Sequence, residues 1–133
     1  MNRIVTVEQA VEIVSFGFLH GAPPPAHLTL DLRHHFRDPH VSPELRYMTA
    51  RDEQVRTAVL DTSGIADLIE AAAHAVAAFT AGPVAGTVTV AVGCAGGRHR
   101  AATVAMALAE LLTTAGRDVA LHHRDIGEPV VQR

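Results

Sequence analysis

Seven consecutive residues, Cys94-Ala95-Gly96-Gly97-Arg98-His99-Arg100, gather the chain's single cysteine, two glycines, two arginines and an imidazole. Two chemistries fit them. The first is anion binding. Residues 87–92 alternate Thr or Ala with Val and read as a buried strand. From residue 101, Ala101, Val104, Ala105, Leu108, Leu111 and Leu112 recur at the spacing of one helical face, with Thr103, Glu110 and Thr114 off it. Strand, glycine turn, helix is the predicted order, which sets the seven residues at a helix N-terminus. There, amides without intrahelical partners and the positive end of the macrodipole favour a phosphate or carboxylate. Gly96 and Gly97 let a ligand approach the main chain, and Arg98, His99 and Arg100 add donors. The second chemistry is nucleophilic: a helix N-terminus beside cations favours a thiolate, which makes Cys94 a candidate nucleophile. Against both stands a purely structural turn with a small buried cysteine. Such a turn needs no basic residues, and this one has three within three positions.

The elements that must position this stretch can be read on either side of it. Residues 10–18 carry β-branched and aromatic side chains and end before a loop with three prolines, so a strand is expected. Residues 27–33 read as a second strand, with Leu28, Leu30 and Leu32 on one face and Asp31 and Arg33 on the other. Periodicity fails over residues 34–51, a long polar loop of His, Arg, Asp and Pro that is either disordered or faces a ligand. A short helix capped by Asp52 is predicted over 52–60. A longer one is predicted over 65–80, with Ser63 as N-cap, Gly82-Pro83 as stop, and Ile65, Leu68, Ile69, Ala72, Val76 and Phe79 on its apolar face. The helix after the glycine turn should stop near Ala115-Gly116, and residues 118–124 form a last strand. The expected fold is α/β: one domain over residues 1–133, a mostly parallel sheet flanked by helices, with crossover helices that make the third and fourth strands parallel. Ligands in such sheets sit at the carboxyl ends of the strands. That rule gathers residues 93–100, the loop from His34 and residues 122–124 on one edge.

Composition narrows the function. In 133 residues, 48% hydrophobic content suffices for a packed core, whereas 4% aromatic content without Trp offers little for stacking nucleobases. All positive charge comes from eleven Arg, which excludes lysine chemistry, and the net charge of −3 disfavours broad electrostatic binding of nucleic acid. One cysteine allows no intramolecular disulfide. With no signal-peptide pattern and no membrane-length apolar run, a cytoplasmic protein without membrane contact is expected. The pairs His34-His35 and His122-His123 lack ligand spacing, so neither a metal nor a cofactor is expected.

Two resemblances add to this reading. The spacing Cys94-x-x-Gly97-x-x-Arg100 resembles the phosphate loop of cysteine-dependent phosphatases. It implies a Cys94 nucleophile, an Arg100 phosphate clamp and Asp38 or Asp31 as leaving-group acid. That family's His before the Cys and Ser or Thr after the Arg are replaced by Gly93 and Ala101. The second resemblance spans nearly the whole chain. Ser15-Phe16-Gly17-Phe18, Asp31-Leu32-Arg33, Asp38-Pro39-His40, Pro43-Glu44-Leu45-Arg46, the Gly93 to Arg100 segment and His123-Arg124 stand in the order and approximate spacing seen in the C-terminal domain of the RNase adapter protein RapZ family. In that family the domain follows a P-loop kinase-like domain. The full proteins bind a small RNA, engage ribonuclease E and sense an amino-sugar phosphate. The resemblance implies a ligand pocket of Arg33, His40, Cys94, Ala95, Gly96, Gly97, His99 and Arg100, self-association, and a small phosphorylated metabolite as partner. RNA binding should be weak, because the family's basic tail is replaced by a stretch ending DIGEPVVQR. Ala95 and Ala101 stand where the family has Thr and Ser, and no Gly-x-x-x-x-Gly-Lys-Ser/Thr is present.

Overall fold

The structure, a computed structural model, describes residues 10–132. Four strands form one sheet: β1 (Ala10–Gly17), β2 (Leu28–Asp31), β3 (Val88–Cys94) and β4 (Asp118–His123), in the order β2-β3-β1-β4 with every pairing parallel. Three helices complete the domain: α1 (Glu53–Leu60), α2 (Ile65–Thr80) and α3 (Arg100–Thr114). The predicted α/β class and parallel sheet are thus observed. β3 and β4 run in the same direction with β1 between them.

Period-two alternation decides which sheet face meets the helices. Val11 and Ile13 of β1 and Val88, Val90, Val92 and Cys94 of β3 join one core with Val55, Val59, Ile65, Ile69, Val76, Val104 and Leu108 of the helices. Phe16 and Gly93 point to the opposite face, where Phe16 meets Phe18 edge-on at 4.8 Å. A Cβ on Gly93 would strike both rings.

Several local expectations are corrected. Gly64, with φ of +91°, is the N-cap of α2, not Ser63, because the chain turns into the helix through the left-handed region. Asp52 occupies the N-cap of α1, but its carboxylate accepts the Thr49 N–H at 3.0 Å and bonds no helix amide. Phe79, Leu111 and Thr103 are exchanged relative to their predicted faces: Phe79 is 46% and Leu111 39% exposed, whereas Thr103 is 1% exposed. α3 is buried all round its first turn, which takes in Thr103. The helix stops as read. The amides of Gly116 (φ +91°) and Arg117 bond the carbonyls of Thr113 and Leu112, a Schellman closure.

Residues 34–51 are folded, with a turn of 3₁₀ helix (Pro39–Val41) started by Pro39 and by the Asp38 carboxylate, which accepts the His40 N–H at 3.0 Å. No helix among the described residues is long and apolar enough to cross a membrane.

Candidate functional site at the carboxyl edge of the sheet

Cys94 ends β3 and is 2% exposed. Its sulfur accepts N–H bonds from Gly97 at 3.3 Å and Ala101 at 3.4 Å. Ala101 is the second residue of α3, and the N-cap residue, His99, makes no side-chain cap. The sulfur therefore fills the capping role that a hydroxyl or carboxylate usually takes. The loop also presses on the end of β1. A Cβ on Gly17 would lie 2.5 Å from the Gly96 carbonyl carbon, and one on Gly97, whose φ is +78°, would lie 2.8 Å from the Gly17 nitrogen. Backbone meets backbone here, which only glycine permits. Asp125, 4% exposed, completes the junction by accepting the Gly17 N–H at 2.8 Å and Arg124 Nε at 2.9 Å.

The basic triplet faces the protein's own carbonyls. Arg98 donates to Tyr47 O at 2.6 Å and Glu128 O at 2.8 Å, while its own carbonyl accepts the Ala50 N–H at 2.8 Å. His99 Nε2 lies 2.8 Å from Met48 O; a carbonyl only accepts, so Nε2 carries the proton. Burial pushes the His99 imidazolium pKa down, against the bond to Met48 and the Asp38 charge, which raise it. Arg100, 2% exposed, donates from Nη1 to Leu32 O (2.9 Å), Arg33 O (3.2 Å) and Phe36 O (3.3 Å), and its Nη2 is 3.2 Å from Asp38 Oδ2. Its Nε is buried and has no hydrogen-bond partner. All three residues thus hold residues 32–48 in shape, a structural use that the sequence reading did not anticipate.

The predicted site residues share this edge. Arg33, Asp38, His40 and Arg100 form one connected group through the Arg33 carbonyl and the two bonds of Asp38. Cys94, Ala95, Gly96 and Gly97 form the adjoining loop, with Ala95 O accepting the Leu19 N–H at 3.0 Å. His99 turns from the loop toward Met48. Arg33 keeps an exposed guanidinium, 3.6 Å from the centroid of the Phe18 ring and 2.7 Å from Asp31 Oδ2. Hydrogen bonding to Arg33 holds the Asp31 carboxyl down at about 2. Both candidate leaving-group acids, Asp31 and Asp38, are therefore in ion pairs with arginine.

Sequence reasoning missed Asp125 and the contact of Ser15 Oγ with His123 Nδ1 at 2.6 Å. The clue to Asp125 was a carboxylate just past a strand end, beside His123-Arg124. Burial lowers the His123 pKa, helped by the charges of Arg51 and His122. No group of three His, Cys, Asp or Glu that could hold a metal ion occurs among the described residues.

Comparison with known proteins places this geometry. The chain is 38% identical over 118 residues to a nucleotide-binding protein of Thermobifida fusca, covering 86% of this chain and 40% of that protein. It is 40% identical over 120 residues to one of Salinispora tropica (88% and 39%) and 37% identical over 123 residues to one of Streptomyces coelicolor (90% and 41%). It thus spans about two fifths of the length of these curated relatives. Residues 9–127 match the family described as the RapZ C-terminal domain, and the chain belongs to that family.

Proposed function

We propose that this domain binds a small phosphorylated metabolite, or a similar anion, at its glycine-loop edge and acts as a sensor. One observation carries the reading: at the carboxyl edge of an all-parallel sheet, the glycine loop adjoins Arg33, whose carbonyl accepts from Arg100 and whose exposed guanidinium pairs with Asp31, and His40, whose N–H donates to the Asp38 that pairs with Arg100. Arg33 supplies a planar donor suited to phosphate oxygens, and the loop supplies backbone. Thermal unfolding tests it. A hexose phosphate at about 100 times its dissociation constant should add roughly 2.7 kcal/mol, a rise in Tm on the order of 5–15 °C. Arg33→Ala should remove the rise. An unchanged melting temperature with every phosphorylated sugar tried would overturn the proposal.

A cysteine phosphatase is the second reading, favoured by the two amides that donate to Cys94 Sγ at the start of α3. Weighing against it are the 2% exposure of Cys94 and the engagement of Arg100 and Asp38 with each other. Release of phosphate by wild type, lost in Cys94→Ser, would establish it over the sensor. The nucleotide binding in the relatives' names is not carried to these 133 residues, which contain neither Lys nor a Walker sequence. Self-association, weak RNA binding and a cytoplasmic location extend the family reading. A monomer by light scattering, or sub-micromolar RNA affinity at physiological salt, would overturn the first two.

A further inference from the structure

A cavity of about 540 Å³ shares no lining residue with the glycine loop. His35 and Arg37 of the β2–α1 connection line it together with Ala58 and Asp61 at the end of α1 and Thr62 and Ser63 of the turn into α2. The volume is in the range of small-molecule sites. Phe36, between the two basic residues, packs against the main core, and a Cβ on Gly64 would come 3.3 Å from its ring. Arg100 fixes the Phe36 carbonyl. Both sides of the cavity are therefore anchored to the folded core.

Its chemistry is uneven. One side offers a guanidinium and an imidazole; the other offers a carboxylate and two hydroxyls. Among the described residues Arg37 makes no hydrogen bond or ion pair, and it forms no ion pair with Asp61 in the same cavity. The Thr62 hydroxyl donates to Ala58 O at 2.9 Å, which leaves its oxygen free to accept. A guanidinium fork suits a phosphate. A carboxylate repels a second anion but accepts hydroxyl protons. A ligand that satisfies both ends has an anionic head and a hydroxylated body.

We propose that this cavity is a second binding site, one that takes a phosphorylated polyol, with the phosphate on Arg37 and His35 and the hydroxyls on Asp61, Thr62 and Ser63. Backbone-amide NMR titrations of the whole chain with a hexitol phosphate, the free hexitol and inorganic phosphate test it. Saturable shifts should centre on residues 35–37 and 61–64, and the hexitol phosphate should bind at least about tenfold more tightly than either fragment. Arg37→Ala should weaken it by about tenfold or more. Asp61→Ala discriminates further, because loss of the carboxylate acceptor should reduce the preference for hexitol phosphate over inorganic phosphate without abolishing phosphate binding. Both residues are exposed, so neither variant endangers the fold. The proposal is overturned by shifts confined to residues 94–101, by equal affinity for inorganic phosphate and the hexitol phosphate, by binding that Arg37→Ala leaves unchanged, or by no saturation at about 10 mM.

Discussion

Arg100→Ala distinguishes a guanidinium that builds the domain from one that reaches for a ligand. The side chain is 2% exposed and donates to three backbone carbonyls while pairing with Asp38 at 3.2 Å. Truncation leaves those acceptors beside a hole. Removing one partner of a buried ion pair costs about 3–5 kcal/mol, because the other charge stays behind. Asp38 moderates this, since its side chain is 20% exposed and can regain water. The carbonyls of Leu32, Arg33 and Phe36 add to it, at about 1 kcal/mol for each bond lost. A net loss of about 3–5 kcal/mol is expected, which lowers Tm by on the order of 10–20 °C. Urea unfolding followed by circular dichroism should show the midpoint falling with its slope preserved. Arg100→Lys should fall between the two, since an ammonium keeps the charge but not the fork. A loss under about 1 kcal/mol for Arg100→Ala would refute the structural assignment.

Other outcomes follow from the same junction. Gly17→Ala should cost more than about 3 kcal/mol, as its Cβ would lie 2.5 Å from the backbone of Gly96; a melting curve within a few degrees of wild type would contradict this. Cys94→Ala should cost about 1–3 kcal/mol by orphaning the Gly97 and Ala101 amides, while Cys94→Ser should recover part of that, as read by the same urea midpoints. His99 and His123 both have pKa values lowered by burial, so the unfolded chain binds more protons below the ordinary value of 6.5. Stability should therefore be complete above about pH 6.5 and decline as pH falls below it, with a shallower decline in His123→Gln. A Tm that rises on acidification from neutral pH would contradict that sign.

Much of the fold was legible because the apolar residues obey their periods: Val88, Val90 and Val92 alternate into the core, and Ile65, Ile69, Ala72 and Val76 trace one helical face. The order of the strands was not legible, because pairing β1 with both β3 and β4 depends on contacts distant in sequence. Faces failed at Phe79 and Leu111, which are exposed, and at Thr103, which lies in a first turn of α3 that is buried all round. The gathering of the glycine loop, the loop from His34 and the end of β4 up to Arg124 at one edge followed from the carboxyl-end rule. What Arg98, His99 and Arg100 do there did not, since residue type tells that a donor is present but not whether its acceptor is a ligand or a carbonyl sixty-odd residues away. Asp125 escaped for a similar reason, because its partner Gly17 N lies at the other end of the chain.

The most direct test of the central claim is a backbone-amide NMR titration with inorganic phosphate at constant ionic strength, using chloride as the balancing ion. Saturable shifts are expected at residues 95–100 and at Arg33, weakened in Arg33→Ala while the rest of the spectrum is kept. Loop amides that respond to phosphate no differently from chloride would contradict it, leaving the glycine loop as a joint between β1, β3 and α3.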